Sequence, residues 1–171
     1  QQILRLAQEN IPLIIISGNH DTPKQRYLGS VFSIFDILPI QPGLLYMVYK
    51  NAYTPIKIKD LTIHPIPQCT SDEIFKQELK KVTPDPLTKN VLMLHAGVTG
   101  LKEFSHRDFN ELLIDSSYFE NNNFDYVALG HYHHQVKVGK QAYFCGSTER
   151  LSFNELGSNK GFWEVNLDPE L

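Results

Sequence analysis

The sequence predicts a layered α/β fold in which two packed mixed sheets are flanked by helices. Three observations predict it. Short apolar-rich runs at residues 11–16, 90–94 and 124–129 have the length and composition of strands buried in a parallel sheet. Helical patterns alternate with such runs through the first half of the chain. Shorter β-rich pieces cluster toward the end, as antiparallel strands do. With 171 residues, 42% hydrophobic and 20% charged, the chain reads as one globular domain, 1–171, large enough to bury a core.

The elements are expected in this order. Residues 2–8 read as a polar-faced helix and residues 13–16 as the first strand. A helix is expected over 24–38, with Leu28, Val31, Phe32 and Phe35 on one face and Ile34 and Ile37 on its flank. Pro39, Pro42 and Gly43 punctuate the entry to three β-rich segments, 44–49, 55–59 and 61–66. A helix over 71–82 follows, which Thr70 can cap while Glu73 reaches back. Its Ile74, Phe75, Glu78, Leu79 and Val82 form a largely apolar stripe at helical spacing. The second half opens with a strand ending at His95 and continues through helical material at 108–113 and 116–121. It then reaches a strand ending at Gly130 and closes with short strands near 135–138, 142–144 and 161–165.

Composition narrows the function classes. No apolar run approaches the roughly 18 residues that span a bilayer, and residues 1–10 read as a polar-faced helix in place of a secretory signal. Cys69 and Cys145 stand singly without a CxxC pair, the usage of reduced thiols, so a cytoplasmic location is expected. A net charge of −3 argues against a large basic nucleic-acid surface. It leaves room for a phosphate-bearing substrate, because bound divalent ions supply positive charge locally.

The chemistry lies at three strand ends. The first apolar run ends in Gly18-Asn19-His20-Asp21, the second in His95, and the third in Gly130-His131-Tyr132-His133. The carboxyl ends of strands are where α/β sheets hold ligands, and borderline divalent metals accept imidazole nitrogen and amide oxygen together. His131 and His133 share one face if the segment is extended, or converge on an ion from a loop. Taken singly, each residue has a bland reading: Asn19 as a turn residue beside Gly18, His95 as a core histidine, and His131 and His133 as surface histidines of a turn. Their joint placement at strand ends favours a site. Asp21 either orients His20 or accepts a hydrogen bond within its loop. His64, His106 and His134 lack that placement and read as surface or packing residues.

This pattern resembles the calcineurin-like metallophosphoesterases, whose motif order is DxH, GDxxD, GNH(D/E), a lone His and GHxH. Three of those five stand here in order. Within the superfamily, the chain is most similar to the SbcD-type nuclease subunit of DNA double-strand-break repair. The run 124–131, the segment 143–150, Phe153-Asn154-Glu155 and Lys160-Gly161-Phe162 carry that likeness. The resemblance implies two-metal hydrolysis of DNA phosphodiesters, with manganese first among the ions and iron, zinc or magnesium as alternatives. It assigns Asn19, His95 and His131 to the second metal, His133 to the first, and His20 to catalysis beside the scissile phosphate without metal contact. It also implies a homodimer and an SbcC-type coiled-coil ATPase as partners, beside the DNA substrate.

DxH and GDxxD would precede Gln1, so the expected unit is a phosphoesterase domain incomplete at its N-terminus, without capping or ATPase-binding segments. Such a piece would hold at most one ion, weakly, be nearly inactive, and tend to associate through an exposed sheet edge. Two alternatives stand beside the nuclease: a phosphomonoesterase or cyclic-nucleotide phosphodiesterase on the same fold, and a non-catalytic piece retaining a dimer or partner interface.

Overall fold

A computed structural model describes residues 1–22, 29–101 and 111–168. Its centre is the pairing of two strands, β5 (Lys89–His95) and β8 (Tyr126–Gly130). Both alternate strictly. Asn90, Leu92 and Leu94 of β5 and Val127 and Leu129 of β8 are buried, while Val91, Met93, His95, Ala128 and Gly130 lie half-buried on the opposite face. Parallel pairing aligns Leu92 with Val127, Leu94 with Leu129, and His95 with Gly130. The two strands therefore end level.

Around this pair the sheet extends to six strands, adding β3 (Ile56–Ile58), β4 (Leu61–Ile66), β9 (Val136–Val138) and β10 (Ala142–Phe144), in the order β3-β4-β5-β8-β10-β9. β4, β5, β8 and β10 run parallel, and β3 and β9 close the two edges antiparallel. Pro65 is tolerated inside β4 because β3 pairs only as far as Ile63, leaving no ladder partner there for the missing N–H. Helices α2 (Asp72–Leu79) and α3 (Ser117–Glu120) bury Phe75, Leu79 and Phe119 in the same cluster as Leu92, Leu94, Val127 and Phe144. Truncating a leucine such as Leu92 to alanine in such a core costs about 2–5 kcal/mol.

On the other side, β1 (Leu13–Ile16) runs parallel to β2 (Leu45–Val48) and lies against β5, next to α1 (Gln2–Gln8). A short parallel pair, β6 (Gly97–Val98) with β7 (Leu113–Ile114), completes the described strands. A mixed sheet flanked by helices is the layered α/β architecture the sequence predicts. Among the described residues no helix is long and apolar enough to cross a membrane. Both cysteines are free, and burial pushes the Cys69 thiol up to about 12.

Several expectations are corrected. Of the helix expected over 24–38, residues 24–28 lie outside the described residues, and Val31–Ile37 form a 3₁₀ helix capped by the Ser30 hydroxyl. β-Branched Val31, Ile34 and Ile37 disfavour an α-helix, and three residues per turn line them up as one ridge, 63%, 60% and 79% exposed. Phe32 turns away from that ridge to meet Phe35 and Tyr49 edge-on. The helix expected at 108–113 also fails at its end: 108–110 lie outside the described residues, and Leu113 belongs to β7. Residues 161–165 form no strand, because Trp163 docks on β10 through its indole N–H to the Phe144 carbonyl in place of a backbone ladder. The cap of α2 is Ser71, whose extended backbone presents Oγ to Ile74 N at 3.3 Å. The Thr70 hydroxyl instead accepts from Asn51 Nδ2.

One buried polar network sits toward the amino ends of the strands. His64 is 1% exposed, stacked on Tyr53 and edge-on to Phe124. Asn90 Nδ2 donates to the carbonyls of Asp85 and Thr88, so its Oδ1 is the acceptor for Asp85 N and for His64 Nε2 at 3.0 Å. His64 therefore carries its proton on Nε2 and accepts the Tyr53 hydroxyl on Nδ1 at 2.7 Å. Burial holds its pKa below the ordinary 6.5. The unfolded chain then binds more protons than the folded one just below that value, so the network's stabilisation is full above it and is lost as pH falls through the folded pKa. The stability difference between the native chain and His64→Phe is expected to narrow from about pH 7.5 to about pH 5.5. Urea denaturation across that range checks it, and a constant difference would refute it.

Candidate metal centre

The level ending of β5 and β8 brings His95 and His131 together, and the loop after β1 brings Asn19 to them. His95 is the last residue of β5, and its ring lies between the backbones of Gly18 and Gly130. A Cβ at Gly18 would stand 2.7 Å from His95 Cε1, and one at Gly130 would stand 3.1 Å from Nδ1. Both glycines are thus explained by the imidazole they flank. Asn19, in the loop after β1, sets Oδ1 3.0 Å from His95 Nε2. The His131 ring meets the His95 ring edge-on, with centroids 5.3 Å apart.

His95 is held down to about 4, first by burial and then by the neighbouring His131, with His20 and His133 pressing the same way and Asp21 opposing. His20, His95, His131 and His133 are therefore one electrostatic cluster, and His95 is neutral at neutral pH. His20 is exposed, on the turn after Asn19. Asp21 takes the loop role: its Oδ2 accepts from Gly18 N at 3.0 Å and so closes the Gly18–Asp21 turn. His64 is the buried packing residue described above, His134 is exposed, and His106 lies outside the described residues.

Residues that sequence reasoning gave no role surround this cluster. Glu111 Oε1 receives His131 Nε2 at 3.1 Å and the Tyr132 hydroxyl at 2.6 Å. Gly97 makes room for both, since a Cβ there would collide with the Glu111 carboxylate and approach Tyr132 Oη to 2.6 Å. Glu155 Oε1 receives His133 Nδ1 at 2.9 Å, and its Oε2 receives Lys160 Nζ at 2.6 Å. Lys160 and His133 together hold the Glu155 carboxyl well down, to about 2. Lys160 also donates to the His133 carbonyl and to Ser147 Oγ, closing residues 147–160 over the histidine loop. His131 itself sits at φ 109°, a region costly for any side-chain-bearing residue.

Among the described residues no three His, Cys, Asp or Glu side chains are grouped to hold an ion by themselves. The donor set assembled here is mixed, an amide oxygen with imidazoles, which suits borderline divalent ions. Each histidine of the HxH pair gives one ring nitrogen to a carboxylate, which leaves the other for a ligand, the usual support of metal-binding histidines. By chemistry the residues present fit a divalent ion.

Residues 1–135 match the calcineurin-like phosphoesterase family. The chain belongs to that family, and so to a class of hydrolases whose members normally bind divalent metals. It is 27% identical over 178 residues to the DNA double-strand break repair protein Mre11 of Methanococcus maripaludis, covering 96% of this chain and 45% of the relative. With the protein of the same name from Sulfurisphaera tokodaii it shares 28% over 166 residues, covering 91% of this chain and 39% of the relative. The chain thus spans less than half the length of these curated relatives.

The packing of His95 gives a direct expectation. Gly18→Ala should force the imidazole out of its seat and cost about 1–3 kcal/mol, as overpacking does. Gly29→Ala, where a Cβ meets nothing within 4 Å, should change stability little. Urea midpoints of both variants, with NMR signals of the histidine rings, check this. Equal midpoints would show that the seat is not tight.

Proposed function

We propose that this calcineurin-like phosphoesterase domain hydrolyses phosphodiester bonds in DNA with divalent ions, manganese first, as its cofactors. In this reading Asn19, His95 and His131 hold one ion and His133 contributes to a second. The observation that carries it is the meeting of Asn19, His95 and His131 from three separate strand ends, with His95 neutral and each HxH ring braced by a carboxylate. The DNA substrate is supported by likeness to relatives named for DNA double-strand break repair.

When bound, such ions supply positive charge to a phosphate under attack and acidify water near neutral pH. The chain's own residues do the rest. Asn19 Oδ1 and His95 Nε2, hydrogen-bonded at 3.0 Å, stand close enough to share one ion in place of that proton, and the neutral imidazole would face it without adding charge. His20, exposed on the turn after Asn19, is open to a phosphate arriving from solvent, and imidazole is the side chain able to give a proton to a leaving oxygen near neutral pH. The turn closed by Asp21 fixes where His20 begins.

The exposed ridge of Val31, Ile34 and Ile37 supports a homodimer as part of the same reading. An SbcC-type ATPase partner rests on the resemblance alone.

Two measurements test the proposal. In manganese calorimetry, His131→Ala should lose affinity while His20→Ala keeps it, although His20→Ala should cut hydrolysis about 10²–10⁴-fold in the protein carrying this domain. Equal loss of manganese affinity would mean that His20 is a ligand and the assignment is wrong. In parallel, single-stranded DNA should be cleaved in preference to p-nitrophenyl phosphate and cyclic nucleotides. Turnover of p-nitrophenyl phosphate alone would replace the nuclease with a phosphomonoesterase.

A further inference from the structure

The two histidines of Gly130-His131-Tyr132-His133 offer different ring nitrogens to different carboxylates. His131 gives Nε2 to Glu111, and His133 gives Nδ1 to Glu155. Both carboxylates are almost wholly buried, with side chains 5% and 6% exposed. A carboxylate accepts and does not donate, so each bond requires the proton on the nitrogen that faces it. The neutral ring then keeps its lone pair on the other nitrogen, Nδ1 in His131 and Nε2 in His133.

The surroundings hold both carboxylates in register. Glu111 Oε1 is also fixed by the Tyr132 hydroxyl, whose ring packs on Phe144 at 4.8 Å between centroids. Glu155 accepts from Lys160, Leu151 N and Ser152 Oγ besides His133, and Lys160 is tied in turn to the His133 carbonyl. The two supports come from separate parts of the chain, one at residue 111 and the other in the short 3₁₀ turn Phe153–Glu155. The left-handed backbone at His131 breaks the strand direction after Gly130, so the next two rings meet different walls.

We infer that Glu111 and Glu155 are positioning residues that lock His131 and His133 in opposite tautomers, aiming Nδ1 of the first and Nε2 of the second at a divalent ion. The aim at an ion rests on the reading under Proposed function; the tautomer lock does not.

The test is ¹⁵N long-range correlation NMR of the histidine rings in the metal-free 171-residue chain, at mildly alkaline pH. His131 should be the Nε2–H tautomer and His133 the Nδ1–H tautomer, each favoured about tenfold or more, as expected for hydrogen bonds to charged acceptors. Glu111→Gln should release the tautomer of His131 alone and Glu155→Gln that of His133 alone, because an amide offers a donor as readily as an acceptor. Lys160→Met, which disturbs the same loop but keeps the carboxylate, should leave the His133 tautomer in place. In a zinc titration, either glutamine variant should lose about 10–100-fold in affinity.

Identical tautomers at the two rings of the native chain would overturn the inference even if the variants fail to fold, and so would glutamine variants that leave both tautomers unchanged. Opposite tautomers together with silence toward zinc would uphold the lock and refute the metal reading. Tight zinc binding with identical tautomers would do the reverse.

Discussion

The seating of one imidazole between two glycine backbones is the constraint from which the site follows. His95 fits only because Gly18 and Gly130 have no side chains. Gly130 is its direct partner in the β5–β8 register, whereas Gly18 arrives from β1 in the other layer. A one-residue slip of β8 would put a side chain where Gly130 now stands and would turn Val127 and Leu129 out of the core. The hydrophobic pattern of the sheet and the geometry of the site are thus held by the same register. Neither can shift without the other.

Around this seat, the chain tolerates features that cost stability. His131 keeps a left-handed backbone, Glu111 and Glu155 are buried carboxylates, and Lys160 is an ammonium group withdrawn from water. Burying an ion pair is at best weakly favourable, so these groups are poorly explained as stabilising devices. They make sense as supports that fix the ring orientations of the HxH pair. Strained backbone and buried charge concentrate at sites where position matters more than stability.

Much of this was legible in the sequence, for identifiable reasons. α1, β1, the ends of β5 and β8 and the meeting of Asn19 with His95 and His131 were readable because apolar runs stop abruptly at polar motifs. Within the helix expected over 24–38, the stretch Val31–Ile37 was misread because helical periodicity does not separate a 3₁₀ ridge from an α-helical stripe over seven residues. The strand at 161–165 was misread because a β-rich composition does not say whether Trp163 docks by its side chain or its backbone. Glu111 carried no local signal, and Glu155 stood in a segment that marked the resemblance without pointing to a role. Their partners lie 20 and 22 residues away, and only the folded loops bring each carboxylate to its ring.

The contrast between His64 and His95 shows how one residue type acquires two opposite roles on one sheet. Both sit on parallel strands, both are held below the ordinary histidine pKa, and burial is the first cause in each. His64 points into the helix-covered core and spends Nδ1 and Nε2 on Tyr53 and Asn90, so its polarity is cancelled and it serves packing. His95 ends its strand on the opposite face, among other imidazoles and beside an amide oxygen. Its neutrality leaves it able to act as a donor to a cation without first losing a proton. The difference comes from alternation along the strands and from where the strand stops: inward positions lead to the packed core, and the carboxyl end leads to a cluster of imidazoles held by Asn19, Glu111 and Glu155.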